Sequence, residues 1–105
     1  MAQFNVYENP SVAQREGFPY LVVLQNDQLD QFSTRFVMPL ARLHRPPAHA
    51  PRRLAQSVTI GGEELQLAPH LCAPLPARLL RKPVATLASE ATALLDALDA
   101  VIAGV

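Results

Sequence analysis

The chain has 105 residues, of which 50% are hydrophobic and 17% are charged, and its nine basic residues are balanced by nine acidic ones. A chain of this length has room for one hydrophobic core, so we predict a single domain over residues 1–105. The apolar content excludes a disordered chain, and the zero net charge excludes the basic balance that attracts nucleic-acid backbones.

Cysteine content and the chain start indicate where the protein works. Cys72 is the only cysteine, so no disulfide can form within the chain and nothing indicates an oxidising compartment. The N-terminus lacks both a basic start and an apolar run, so it does not resemble a secretory signal. Acidic residues interrupt the most apolar stretch, residues 84–105, and would be costly in a membrane. We therefore predict a cytoplasmic protein.

The N-terminal part contains three candidate strands. Phe4 and Val6 alternate with polar neighbours, which is typical of a half-buried strand, and residues 20–24 form an apolar run suited to a buried strand. Residues 34–38 are the third candidate, which we expect to end at Pro39 because proline has no backbone donor for a sheet.

Two segments are predicted to be mobile surface loops, because they combine turn-forming residues with no apolar period. They are residues 9–17 and residues 42–53, of which the second is rich in proline, histidine and arginine. That second segment is the only local run of basic character, and charge runs usually form a solvated surface.

Gly61 and Gly62 mark the clearest local signal. Apolar residues alternate on both sides of them, and two glycines tolerate the positive φ of a two-residue turn, so residues 58–67 are predicted to form a β-hairpin. Beyond it, residues 71–80 contain two prolines among apolar pieces, which indicates edge strands or bulges.

The apolar period changes in the C-terminal segment. Spacings of three and four residues predict an amphipathic helix from about Ala88 to Ala103, with Ser89 as its N-cap and Gly104 as its stop. Several strands followed by one helix predict an α+β fold, mainly β, with an antiparallel sheet. The apolar face of this helix offers more apolar surface than one small domain needs to cover its core, so we expect this face to hold part of a dimer interface. The residues of the face are Leu94, Leu98, Val101 and Ile102.

No metal or cofactor is predicted. His44 and His49 lie in the basic loop, and His70 and Cys72 could share one strand face. Neither pair supplies the three or four ligands of a zinc site. We expect Cys72 to be a small buried hydrophobe rather than a nucleophile.

Carboxylates occur in two pairs, Asp27 with Asp30 and Glu63 with Glu64. Both pairs fall where turns expose charge, and no phosphate-binding loop or nucleophile elbow accompanies them. The absence of a catalytic constellation favours a binding protein over an enzyme.

Five short segments, spread over the whole chain, occur in the order found in a known family. They are Gln3-Phe4-x-Val6-Tyr7, Val22-x-Leu24-Gln25-x-Asp27-x-Leu29-Asp30, Arg35-x-Val37-x-Pro39-Leu40, Ile60-Gly61 and Gly104-Val105. Each is short, but five in register are hard to obtain by chance. On these segments the chain resembles the CcdB family of toxins.

The resemblance implies a CcdB/MazF-like fold, in which an SH3-like barrel carries a C-terminal helix, and it implies a homodimer. It further implies the toxin of a type II toxin–antitoxin pair that binds the A subunit of DNA gyrase and traps the enzyme on cleaved DNA. Such toxins are neutralised by a disordered CcdA-like antitoxin, which folds on binding. The resemblance also implies a role in plasmid maintenance and transcription regulation.

Positions of functional residues follow from the same resemblance. The implied gyrase-binding surface consists of Gln28, Leu29, Asp99, Ile102, Ala103, Gly104 and Val105, and the implied antitoxin-binding residues are Tyr7, Glu8 and Asn9. The family's usual pattern has a tryptophan, stacked on an arginine of gyrase, at the position of Ala103. It has a phenylalanine at Ile102 and an isoleucine at Gln28. Loss of a large aromatic from an interface centre commonly costs about 2 kcal/mol or more.

Two alternatives belong to other classes. A MazF-like endoribonuclease needs a basic groove and a cluster that activates a ribose 2′-OH, and only the loop with Arg42, Arg45, Arg52 and Arg53 supplies the first. A non-toxic family member would bind antitoxin alone, as a regulator or decoy. Incubation with RNA tests the first alternative, and growth arrest on expression tests the second.

Overall fold

The computed structural model describes residues 2–42 and 56–103. The elements in chain order are β1 (Asn5–Glu8), β2 (Tyr20–Val23), β3 (Thr34–Ala41), β4 (Ser57–Ile60), β5 (Glu63–Leu67), β6 (Ala73–Pro76), β7 (Ala85–Thr86) and α1 (Ala91–Ala103). Short 3₁₀ turns span residues 27–29, 69–71, 77–79 and 88–90. Some residues singled out above lie outside the described ranges: His44, Arg45, His49, Arg52, Arg53, Gly104 and Val105.

The described strands form one antiparallel sheet in the order β4-β5-β3-β2-β1-β7. β3 is the longest of them, and its first half pairs with β6 while its last residues pair with β5. This change of partner lets the sheet curve into a nearly closed barrel. The barrel with its C-terminal helix confirms the predicted mainly β, α+β fold with an SH3-like core.

β3 continues through Pro39, so the prediction that it ends there was wrong. The Pro39 carbonyl accepts the N–H of Ala68 at 3.1 Å, which places both the carbonyl and the nitrogen of Pro39 on the side away from β2. On that side the pairing with β6 stops at Val37 and the pairing with β5 starts at Leu40. The missing donor therefore falls in the gap between two partners and interrupts neither ladder.

The hairpin at Gly61 and Gly62 is confirmed. The two glycines have φ of 58° and 85°, as a type I′ turn requires, and they join β4 to β5. The predicted first strand included Phe4, but β1 begins at Asn5. Phe4 precedes it and has a φ of 69°, outside the strand region. Its side chain is still buried in the core, and its N–H donates to the Val23 carbonyl at 2.7 Å.

The sheet has an apolar cluster on each side. The cluster that we call the helix face lies inside the barrel beneath α1 and includes Val6, Val22, Leu24, Met38, Leu40, Val58, Ile60, Leu65, Leu67, Leu87, Leu94 and Ala97. The cluster that we call the groove face comprises Tyr7, Leu21, Val23, Val37 and Leu80, with Leu75 packed against it. Strand alternation sends neighbouring residues such as Leu21 and Val22 to opposite clusters.

The start of α1 differs from the prediction. Ser89 is not its N-cap, because residues 88–90 form a 3₁₀ turn and the α-helix begins at Ala91. The hydroxyl of Thr86 accepts the N–H of Ala88 at 3.3 Å and so satisfies a donor at the start of this turn. No helix in the two described ranges is long and apolar enough to cross a membrane.

The buried face of α1 carries Leu94, Ala97 and Ala100. Leu94 is 0% exposed within its own chain, so its predicted place on a dimer surface was wrong. The exposed apolar side chains are instead Leu95, Val101 and Ile102, and Ile102 is 76% exposed.

Candidate binding surfaces

The 3₁₀ turn with Gln28 and Leu29 is held by side chains on both sides of it. The Gln25 amide nitrogen donates to the carbonyls of Leu29 and Thr34, at 3.2 and 3.0 Å, and its oxygen accepts the N–H of Phe36 at 3.0 Å. Asn26 caps the turn by accepting the N–H of Gln28 at 2.9 Å. The turn is therefore fixed to the start of β3.

Arg35, near the start of β3, holds the same loop through hydrogen bonds to its main chain. Its guanidinium is buried and donates to the main-chain carbonyls of Asp30, Phe32 and Thr34. Its Nε lies 3.5 Å from the Asp30 carboxylate, which balances the charge without the geometry of a hydrogen bond. These contacts preorganise the segment from residue 26 to residue 34, which we call the turn loop.

The turn loop presents two apolar side chains to solvent. Leu29 is 43% exposed and Phe32 is 56% exposed. The exposure of Phe32 was not anticipated, because it depends on the path that Arg35 imposes on the loop and no sequence period encodes that path.

The C-terminal end of α1 is the second exposed surface. Asp99, Ile102 and Ala103 all lie on it, next to the partly exposed Val101. α1 contacts the turn at residues 69–71, and its Leu94 and Ala97 pack in the helix-face cluster. The family resemblance implies that this helix end and the turn loop lie side by side on one surface, and that arrangement remains a prediction.

The residues expected to bind antitoxin differ in their surroundings. Tyr7 is buried, whereas Glu8 is exposed and lies 3.3 Å from Arg15. Asn9 is buried and organises the loop that follows it. Its amide donates to the Phe18 carbonyl at 2.9 Å, and its side-chain oxygen accepts the N–H of Ser11 at 2.9 Å. The segment 9–17 is a surface loop with a tethered start, and its mobility remains a prediction.

Asn9 also forms part of the wall of an apolar groove of about 610 Å³. The floor of the groove is the groove face at Leu21, Val37 and Leu75, and Phe18 and Leu71 add to the walls. No described residue of α1 lines this groove.

A second pocket of about 440 Å³ adjoins this groove. Both are lined by Pro10 and Leu79, so the two cavities are neighbours. The second pocket brings Tyr7 and Glu8 together with four cations, Arg15, Arg78, Arg81 and Lys82. Sequence reasoning did not group these cations, because Arg15 is more than 60 residues from the other three in the chain and only the fold brings them together.

The candidate acids have structural partners. Glu63 accepts two hydrogen bonds from Arg42, the shorter at 2.6 Å, and this contact lowers the pKa of the Glu63 carboxyl. Asp27 accepts the N–H of Gln3 at 2.7 Å, and Glu64 accepts the hydroxyl of Ser57 at 2.9 Å. These contacts fix turns and strand ends.

His70 and Cys72 do not share a strand face, which corrects the prediction. His70 lies in the 3₁₀ turn at residues 69–71 and is exposed, whereas Cys72 is half-buried against the helix face. Burial raises the pKa of the Cys72 thiol to about 11, so the thiol stays protonated at neutral pH. Within residues 2–42 and 56–103, no group of three His, Cys, Asp or Glu side chains could hold a metal ion.

The fold and its surfaces define a small SH3-like barrel protein with a C-terminal helix and an uncovered groove face. The family model described as "CcdB protein" matches residues 3–104, which is essentially the whole chain. The chain therefore belongs to the CcdB family, as the five segments indicated. At the level of the family, it is a toxin of a toxin–antitoxin pair of the gyrase-poisoning type. No curated protein matches the sequence.

Proposed function

We propose that this protein acts in the cytoplasm by binding the A subunit of its host's DNA gyrase and trapping gyrase on cleaved DNA. The observation that carries the proposal is the family match over residues 3–104, joined to an exposed apolar helix end at Val101 and Ile102. Exposed apolar side chains grouped at one site indicate a protein contact. The turn loop supplies a second contact through Leu29.

Ala103 decides the strength of this contact. Ala103 is exposed, so a larger side chain there would point into solvent. The surface lacks the aromatic ring of the family's usual pattern and depends on aliphatic contacts instead. We infer a weaker interaction with gyrase, centred on Ile102.

We further propose a homodimer in which α1 contributes its exposed apolar side. Leu95 is 49% exposed and lies one helical turn from Leu98, so the two form a short stripe along α1 that precedes the helix end at Ile102. A two-fold axis beside this stripe would bring the two copies of it together. Such a dimer would set the two helix ends side by side for gyrase.

We propose that neutralisation by a CcdA-like antitoxin takes place at the cavities next to Tyr7, Glu8 and Asn9. Action by binding rather than catalysis is supported by the structural contacts of the carboxylates and by the raised pKa of Cys72. Incubation with RNA followed by analysis for cleavage tests the ribonuclease alternative directly.

The central experiment measures binding of the full-length toxin to the host's gyrase A subunit by calorimetry. Ile102→Asp should weaken binding at least tenfold, because it places a charge in the apolar patch. Val12→Asp is the matched control, since Val12 is also 76% exposed but lies in the loop after β1. Expression of the wild type should arrest growth. If wild type and control both fail to bind, the gyrase proposal is wrong and the antitoxin-only alternative takes its place.

A further inference from the structure

Phe32 is an aromatic side chain that the fold leaves in solvent. It is 56% exposed, and it is the one aromatic among the exposed large apolar side chains of residues 2–42 and 56–103. Interfaces between proteins are enriched in aromatic side chains, and the few residues that dominate a binding energy often belong to this class. The position of Phe32 in the turn loop therefore makes it a candidate contact for another protein.

The main chain holds Phe32 beside Leu29. The N–H of Phe32 donates to the Leu29 carbonyl at 3.0 Å, which closes a turn and keeps the two Cα atoms within about 7 Å of each other. The carbonyl of Phe32 accepts a hydrogen bond from the buried guanidinium of Arg35. Both main-chain polar groups of Phe32 are thus bonded within the loop, so little backbone entropy is lost when a partner binds. Leu29 and Phe32 form a preorganised apolar pair, which we call the loop pair.

Negative charge borders the loop pair. Asp27 is exposed, and its carboxylate accepts the main-chain N–H of Gln3 at 2.7 Å, an uncharged donor that leaves the charge of the carboxylate in place. The charge of Asp30 is balanced by Arg35 at 3.5 Å. A partner that covers the loop pair therefore gains from a lysine or arginine beside its apolar contact, because that cation meets both the Asp27 carboxylate and the face of the Phe32 ring.

The location of the loop pair favours gyrase over other partners. Leu29 and Phe32 line neither of the two cavities at which we place the antitoxin. A second copy of the chain is disfavoured, because a two-fold axis at the loop pair would bring the two Asp27 carboxylates towards each other. Gln28 and Leu29 already belong to the implied gyrase-binding surface, and Phe32 continues that surface along the same loop.

We propose that Phe32 is a specificity-determining contact for the gyrase A subunit, with its ring on an apolar spot of gyrase that has a lysine or arginine at its edge. This proposal rests on the proposed function as a gyrase-binding toxin. The exposed helix end offers only aliphatic side chains at Val101 and Ile102, so Phe32 supplies the aromatic contact from the toxin. A gyrase without the matching apolar spot and its basic neighbour binds weakly, and the toxin thereby discriminates between the gyrases of different hosts.

The test measures binding of the full-length toxin to the host's gyrase A subunit by calorimetry. Phe32→Ser should weaken binding about tenfold. Val84→Ser is the matched control and should bind like the wild type, because Val84 is 54% exposed but lies just before β7. Phe32→Tyr keeps the ring and should bind nearly as well as the wild type, whereas Phe32→Leu should bind more weakly than Phe32→Tyr. All of these variants should keep the melting temperature of the wild type, since both positions are exposed.

A further variant tests the charge beside the loop pair. Asp27→Asn keeps an acceptor for the N–H of Gln3 but removes the negative charge, so binding should weaken about threefold at low salt and should depend less on salt. Glu16→Gln makes the same change of charge at an exposed position in the loop after β1 and should leave gyrase binding unchanged.

The outcomes separate this inference from the gyrase proposal. If the wild type binds gyrase A and both Phe32→Ser and Phe32→Leu bind equally well, the inference is overturned while the gyrase proposal stands. If the wild type does not bind, the gyrase proposal itself fails. Equal binding of Asp27→Asn and the wild type would overturn the basic neighbour. A changed oligomeric state of Phe32→Ser in sedimentation, or a loss of antitoxin binding with gyrase binding intact, would assign the loop pair to another interface and also overturn the inference.

Discussion

The two faces of the sheet carry similar aliphatic residues but have different coverings. On the helix face, Leu94 and Ala97 of α1 close the barrel, and both are fully buried. On the groove face, Leu80 covers only part of the cluster and leaves the groove beside it. Because α1 buries the helix face, that face stabilises the fold. The groove face is only partly covered, so it and the exposed loops are available for partners.

The largest effect should come from the helix face. Leu94→Ala removes a fully buried side chain and should lower the free energy of unfolding by about 2 to 5 kcal/mol. Leu71→Ala at the groove wall is the control, and its effect should stay within about 0.5 kcal/mol because Leu71 is exposed. Chemical denaturation measures both. Equal losses for the two variants would contradict the division between the faces.

The next effect concerns the turn loop. Arg35→Met removes the guanidinium that three main-chain carbonyls share, and should cost about 2 kcal/mol because those carbonyls lose a buried donor. Gyrase binding should fall further than stability does, since Leu29 would lose its fixed position. Measuring both quantities at a temperature where the variant is folded separates the two effects. Unchanged gyrase binding would show that the turn loop lies outside the interface.

Ala103→Trp tests an exposed position that should affect binding without affecting folding. Restoring an aromatic face for a gyrase arginine is worth about 0.5 to 2 kcal/mol, so binding to the host's gyrase A should tighten and killing should increase. The melting temperature should stay unchanged, because Ala103 is exposed at the helix end. A competing account is that the apolar end already fits a flatter surface on the host's gyrase, in which case the tryptophan would clash and weaken binding.

The smallest effect belongs to the ion pair of Glu63 and Arg42 at the barrel edge. The hydrogen bond from Arg42 lowers the pKa of Glu63 in the folded chain, so the unfolded chain binds this proton more readily. The pair therefore contributes stability above the ordinary glutamate pKa of about 4.3, and the contribution is lost as the pH falls through the lowered value. Glu63→Gln should melt slightly below the wild type at pH 7, and the gap should close in acid. A gap that persists in acid would point to lost packing instead.

Local signals in the sequence were sufficient for several elements. Gly61 and Gly62 identified the hairpin because a two-residue turn with positive φ has few other solutions. The spacing of apolar residues predicted α1, and the order of five short segments indicated the CcdB family that the match over residues 3–104 confirms.

Tertiary structure decided what pairs with or covers each element, because those contacts join residues far apart in the chain. The tolerance of β3 for Pro39 depends on where β6 gives way to β5, and the burial of Leu94 but not Leu95 depends on how α1 lies over the barrel. The second pocket brings Glu8 and Arg15 together with Arg78, Arg81 and Lys82, which lie some 70 residues further along the chain. Sequence alone determined the hairpin, the C-terminal helix and the family, while the fold of the sheet determined which face remains available for a partner.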